Sequence, residues 1–135
     1  MLYTKMLLFF FNEKCQIVIN NEFELHAAVV AFIRKKYPNV FIVPSLGELQ
    51  DCPSKRASAW KKGYRGGTPD LLLLHPNEQY NGLAIELKTP LGNGRLSSKQ
   101  ESCIIELNTK CSFQTLVSND YTKNIWFIVD YMNID

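Results

Sequence analysis

The sequence predicts an α/β fold, a mixed sheet flanked by helices in the order α-β-β-β-α-β-α. Three observations carry this. Short apolar runs at Val40–Val43, Leu71–Leu74 and Leu83–Lys88 are bounded by glycine, proline and asparagine and have strand length. Capped stretches of helical spacing surround them, at residues 21–37 and from Ser97 onward. The polar segment from His75 to Gly82 is short enough to join the second and third strands as a hairpin.

In chain order, Met6-Leu7-Leu8-Phe9-Phe10-Phe11 is too short for the apolar core of a signal peptide and lacks a small-residue cleavage site. It reads as an edge strand or packing segment, and falls below the roughly 18 apolar residues of a membrane span. Residues 21–37 form a helix. Asn21 caps it, Glu22 and Glu24 suit its first turn, Phe23, Ala27, Val30 and Ile33 make an apolar face, and Arg34, Lys35 and Lys36 precede the terminating Pro38. After the strand at Val40–Val43 and a turn at Pro44-Ser45-Leu46-Gly47, residues 48–66 make a short basic helix and a glycine-rich loop. Lys55, Arg56, Lys61, Lys62 and Arg65 interleave there with Trp60 and Tyr64. Such a run is either a solvated face or a phosphate contact, and its place just before the acidic hairpin favours the second.

Leu71–Leu74 reads as a strand buried on both faces, and Leu83–Lys88 pairs with it. Thr89–Gly94 ends the second of these strands. Ser97 with Gln100, or Ser98 with Glu101, fits a capping box, with Ile104, Ile105 and Leu107 as the apolar face of the helix that follows. Phe113–Val117 is a strand, and Ser118-Asn119-Asp120 a further cap. Residues 121–132 match both periods, Trp126, Ile128 and Asp130 alternating and Ile125, Ile128, Val129 and Met132 at helical spacing. We read a helix.

A chain of 135 residues with 46% hydrophobic and 21% charged residues predicts one globular domain, a core of residues 21–132 behind an extension of residues 1–20. A net charge of +2 permits a nucleic-acid partner without demanding one. Cys15, Cys52, Cys103 and Cys111 lack metal-binding spacing. They read as reduced, inert packing thiols of an intracellular protein that is neither secreted nor membrane-bound.

Chemistry concentrates at Asp70 and at Glu86-Leu87-Lys88. Residues i and i+2 of a strand share a face, so Glu86 and Lys88 point together while Leu87 points away, and the hairpin brings Asp70 near Glu86. Two close carboxylates repel unless a cation sits between them, and hard oxygen ligands suit Mg²⁺ or Mn²⁺. A lysine beside them can orient water or offset phosphate charge. A plain ion-pair cluster is the other reading of an isolated Glu-x-Lys.

Gly67-Thr68-Pro69-Asp70, Glu86-Leu87-Lys88 and Leu96-Ser97-Ser98-Lys99-Gln100, in this order, resemble the VRR-NUC group of the PD-(D/E)XK nuclease superfamily, in the small stand-alone form associated with bacteriophages and other viruses. The likeness spans roughly residues 22–132. It implies a restriction-endonuclease-like fold and metal-dependent hydrolysis of DNA phosphodiesters. By resemblance, Asp70, Glu86 and the Leu87 carbonyl hold the metal and Lys88 is the catalytic lysine. Glu24 matches the acid of the first helix that lies near the metals, and Gln100 the glutamine that faces the site. His26 stands where the family has glutamine, which leaves Glu22 as a rival acid. Glu24 could equally serve only its helix N-terminus, and Gln100 only its capping box. Arg95 and Lys99 join the basic segment as candidate phosphate contacts.

Small members of the group resemble junction resolvases and nickases, which implies branched DNA and a homodimer; the apolar Met6–Phe11 segment is a candidate dimer contact or equally a part of the core, and no nucleotide cofactor is expected. Two other readings stay open: a catalytically idle DNA-binding or assembly module, and a nuclease acting on RNA or linear DNA ends.

Overall fold

The first helix, α1 (Glu22–Lys36), forms where its cap and charges direct. The Asn21 side chain accepts the Glu24 amide, both glutamates lie in the first turn, and Arg34, Lys35 and Lys36 fill the last. The computed structural model describes residues 18–47 and 51–133. The Met6–Phe11 segment, the contact read there and Cys15 lie outside these residues. After α1 come β1 (Ile42–Pro44), α2 (Pro53–Lys61), β2 (Leu71–Leu73), β3 (Gly82–Leu87), α3 (Ser98–Cys111), β4 (Phe113–Ser118) and α4 (Tyr121–Met132). Among the described residues no helix is long and apolar enough to cross a membrane.

The strands form one mixed sheet in the order β1-β2-β3-β4. The first three are antiparallel, and β4 lies parallel to β3 after the α3 crossover. The strand expected at Val40–Val43 is displaced onto Ile42–Pro44. A proline is tolerated there because β1 is an edge strand, where a missing amide hydrogen breaks no ladder.

One face of the sheet carries the core. Leu71, Leu73, Leu83, Ile85, Leu87 and Leu116 meet Leu25, Val29, Phe32 and Ile33 of α1 and Ile125, Ile128, Val129 and Tyr131 of α4. This corrects the expected face of α1: Phe23 is 69% exposed and Ala27 is exposed. Of the expected positions Ile33 is in the core and Val30 packs against it, whereas Leu25, Val29 and Phe32, which satisfy the same helical period, take the inward place expected of Phe23 and Ala27. Residues 121–132 are helical, resolving their double pattern, since Ile125, Ile128 and Val129 fall on one buried stripe.

Helix α3 covers the opposite face. Cys103 is buried, Ile104 and Leu107 are half-buried, and Ile105 is 55% exposed, so the three expected apolar positions do not form one face. Neighbours in sequence diverge by about 100° around a helix. Cys52, Cys103 and Cys111 are free thiols. Exposed Cys111 departs from the packing role expected of it.

Gly67 joins the two halves of the site. Its φ is +88°, and a Cβ there would lie 2.5 Å from the Lys99 carbonyl carbon and 2.8 Å from the Gln100 nitrogen. The loop before β2 thus admits the first turn of α3 only through glycine. Gly67→Ala should cost about 2 kcal/mol in urea unfolding, from left-handed backbone strain and the clash together. An unchanged midpoint would show that α3 does not dock on this loop.

Candidate active site

The β2–β3 register sets the geometry. Leu71 pairs with Ile85, so one step further Asp70 stands across from Glu86, on the face that α3 covers. Both carboxylates sit where the ladder meets the turns. Asp70 Oδ2 accepts the Leu87 amide at 2.7 Å, which fixes its carboxylate against the end of β3. Leu87 itself is buried in the core on the other face.

Glu86 is only 2% exposed. Its Oε1 accepts the Lys88 ammonium at 3.1 Å and the Gln100 side-chain amide at 2.6 Å. Lys88 also donates to Gln100 Oε1 at 2.9 Å, so the lysine, the glutamate and the glutamine close a triangle of hydrogen bonds. The start of α3 holds Gln100 in turn. Its Oε1 accepts the Ser97 amide at 2.9 Å while Ser97 Oγ accepts the Gln100 amide at 3.2 Å, a complete capping box. One residue therefore terminates the helix and meets the site.

Electrostatics follow from burial. Desolvation and the neighbouring Asp70 push the Glu86 carboxyl up to about 7, against the pull of Lys88. Burial also raises Asp70, while the Leu87 amide and the charges of His26 and Lys88 hold it back. A pair that resists carrying two negative charges is suited to a divalent cation, and its oxygen donors suit a hard ion. Among the described residues no three His, Cys, Asp or Glu side chains gather closely enough to hold an ion. The carboxylates present are two, to which a backbone carbonyl can add.

Helix α1 brings its first turns toward this pair. The charge of Glu22 raises Glu86 and that of His26 favours ionised Asp70. Glu24 instead accepts the Asn20 amide on Oε2 at 2.7 Å. The charge of Glu22 therefore reaches Glu86 from the first turn of α1. Apart from the family resemblance, the residues of α1 gave no sign that the charge of His26 acts on Asp70, because helix phase relative to the sheet is a tertiary property.

The basic residues distribute more widely. Lys55 pairs with Asp51 at 2.8 Å, and Arg65 with Glu106 of α3, which Lys110 also reaches at 3.5 Å. Arg65 thus bridges the loop before β2 to α3. Arg56, Lys61 and Lys62 are exposed on or just after α2, and Arg95 is exposed in the loop after β3. The Lys99 side chain runs past Gly66, beside the docking point of α3.

The sequence model of the VRR-NUC domain family matches residues 13–119. A solved structure described as a VRR_NUC domain protein superposes with a TM-score of 0.69 at 22% identity, over 87% of this chain and 91% of that one. No curated protein matches the chain.

Proposed function

The chain belongs to the VRR-NUC domain family, nucleases of the restriction-endonuclease-like type, and we propose that it is a divalent-metal-dependent DNA endonuclease acting on branched DNA. The observation that carries this reading is the hydrogen-bonded set of Glu86, Lys88 and Gln100 standing across the ladder from Asp70. An ion-pair cluster alone would not need two acids against each other with Glu86 raised to about 7.

Asp70, Glu86 and the Leu87 carbonyl would hold Mg²⁺ or Mn²⁺, with an acid of α1, Glu22 or Glu24, assisting. When bound, the ion supplies a Lewis acid for the phosphate and acidifies an attacking water. Asp70 is held in place by the Leu87 amide, so its carboxylate needs little reorganisation. Both hydrogen bonds from Lys88 and Gln100 land on Glu86 Oε1, so Oε2 would be the oxygen offered to the ion. Lys88 spends two of its three ammonium protons on Glu86 and Gln100, and the third would serve a phosphate oxygen or a water. Gln100 positions both neighbours without changing protonation. Lys55, Arg56, Lys61, Lys62, Arg65, Arg95 and Lys99 supply contacts to the DNA backbone. Preference for branched DNA, and a homodimer that offers one site to each of two symmetric strands, follow the likeness to junction-resolving nucleases.

The test is cleavage of end-labelled four-way junction, flap, duplex and single-stranded DNA in Mg²⁺, Mn²⁺ or EDTA. Cuts near the branch are expected, absent in EDTA and reduced about a hundredfold in Lys88→Ala, as for other groups that stabilise developing charge. DNA binding without cleavage of any substrate would replace the enzyme with a binding module.

A further inference from the structure

Helix α2 is built unlike the rest of the fold. Between Cys52 and Pro69 the chain has no carboxylate and five cations, Lys55, Arg56, Lys61, Lys62 and Arg65. Ala59 is the helix's buried residue. Trp60, one step around from it, is 73% exposed. An indole carries more apolar surface than almost any other side chain and ordinarily goes into a core or an interface. Here it projects from a polycationic helix, beside Lys61 and Lys62. The side chains one turn back on its stripe are the cationic Arg56 and the small, exposed Ala57.

We propose that α2 is a DNA-docking helix in which Trp60 stacks on an unpaired base while the surrounding cations hold the phosphates on either side. This rests on the nuclease reading above and adds to it the means of choosing a substrate. The charge favours a polyanion, and a flat aromatic face among cations matches the pairing of bases with phosphates. Stacking on a base inside a duplex would first require unstacking it, which costs a few kcal/mol. At a flap, fork or open junction that cost is already met. Selectivity for branched DNA would then reside in one exposed side chain, leaving the acids to cut whatever is brought to them. The helix leads through the loop at 62–66 into Gly67 and Asp70, so the docked base and the reacting strand are served by neighbouring parts of the chain.

The experiment measures binding in EDTA, where the DNA stays intact, by anisotropy. It uses a forked DNA with 2-aminopurine at the first unpaired position and a fully paired duplex of equal length. Trp60→Ala should weaken fork binding about tenfold and duplex binding less than about twofold, and Trp60→Phe should recover most of the loss. The 2-aminopurine fluorescence should be quenched by the wild-type chain and not by Trp60→Ala. Equal losses on fork and duplex, or no loss, overturn the proposal. Cleavage by the same proteins in Mg²⁺ separates the two readings. A fork preference in cutting that survives Trp60→Ala sinks the docking role and leaves the nuclease. Trp60-dependent fork binding with no cutting does the reverse.

Discussion

Asp70→Asn is expected to reduce metal-dependent cleavage by about a thousandfold or more while leaving the fold intact, because it removes an ionic ligand and changes almost nothing else. Asparagine keeps an oxygen that can accept the Leu87 amide, so the bond that ties the site to β3 survives. The loss of charge has a second readout. Asp70 is one of the two main reasons that Glu86 titrates near 7, so the Glu86 carboxyl should fall toward its ordinary range in the variant. The change can be followed by carboxyl NMR on the cation-free protein. Undiminished cleavage by the purified variant would remove Asp70 from the chemistry, and an unmoved Glu86 would mean that the two acids do not interact.

Glu86→Gln should raise the stability of the cation-free protein at pH 8 by about 3 kcal/mol while eliminating activity. In the folded state Glu86 keeps its proton up to about pH 7, whereas an unfolded glutamate releases it near 4.5. The folded chain therefore binds more protons between those values, and its stability falls as pH rises through that window. Asp70, raised by burial, contributes in the same direction. Glutamine resembles the protonated acid and avoids the cost. Adding Mg²⁺ or Mn²⁺ should restore the wild type at pH 8, since a ligand of the folded state stabilises it by mass action, and should do little for the variant. Urea unfolding at pH 5 and pH 8, with and without the ion, checks each part. A variant less stable than the wild type at pH 8 without cation would mean that the buried carboxylate is stabilised by its neighbours. Equal shifts with the ion in both proteins would mean that the ion binds elsewhere.

Most elements could be read from the sequence because their signals are local. Asn21 and Ser97 identify helix starts by side-chain chemistry alone, and both cap as expected. The β2–β3 hairpin follows from two apolar runs and a short polar connection, and its pairing brings Asp70 across from Glu86. Local patterns did not decide helix phase. The α1 sequence supports two apolar stripes, and only contact with the sheet and α4 chose Leu25, Val29 and Phe32 over Phe23 and Ala27. β1 lies two residues later at its start and one later at its end than its apolar run for the same kind of reason, since a proline at an edge depends on which strands become neighbours.

For the candidate site, strand spacing in the sequence by itself determined that Asp70, Glu86 and Lys88 come together, whereas Glu24 and Gln100 joined them only through the family resemblance. The tertiary structure alone decided how Gln100 bridges Lys88 and Glu86, how closely α3 approaches Gly67, that the charge of Glu22 reaches Glu86, and that Trp60 stands in solvent. The physical reason is range. Backbone propensity and capping act within a few residues of chain, whereas burial, charge coupling and side-chain exposure depend on which distant segments pack against each other.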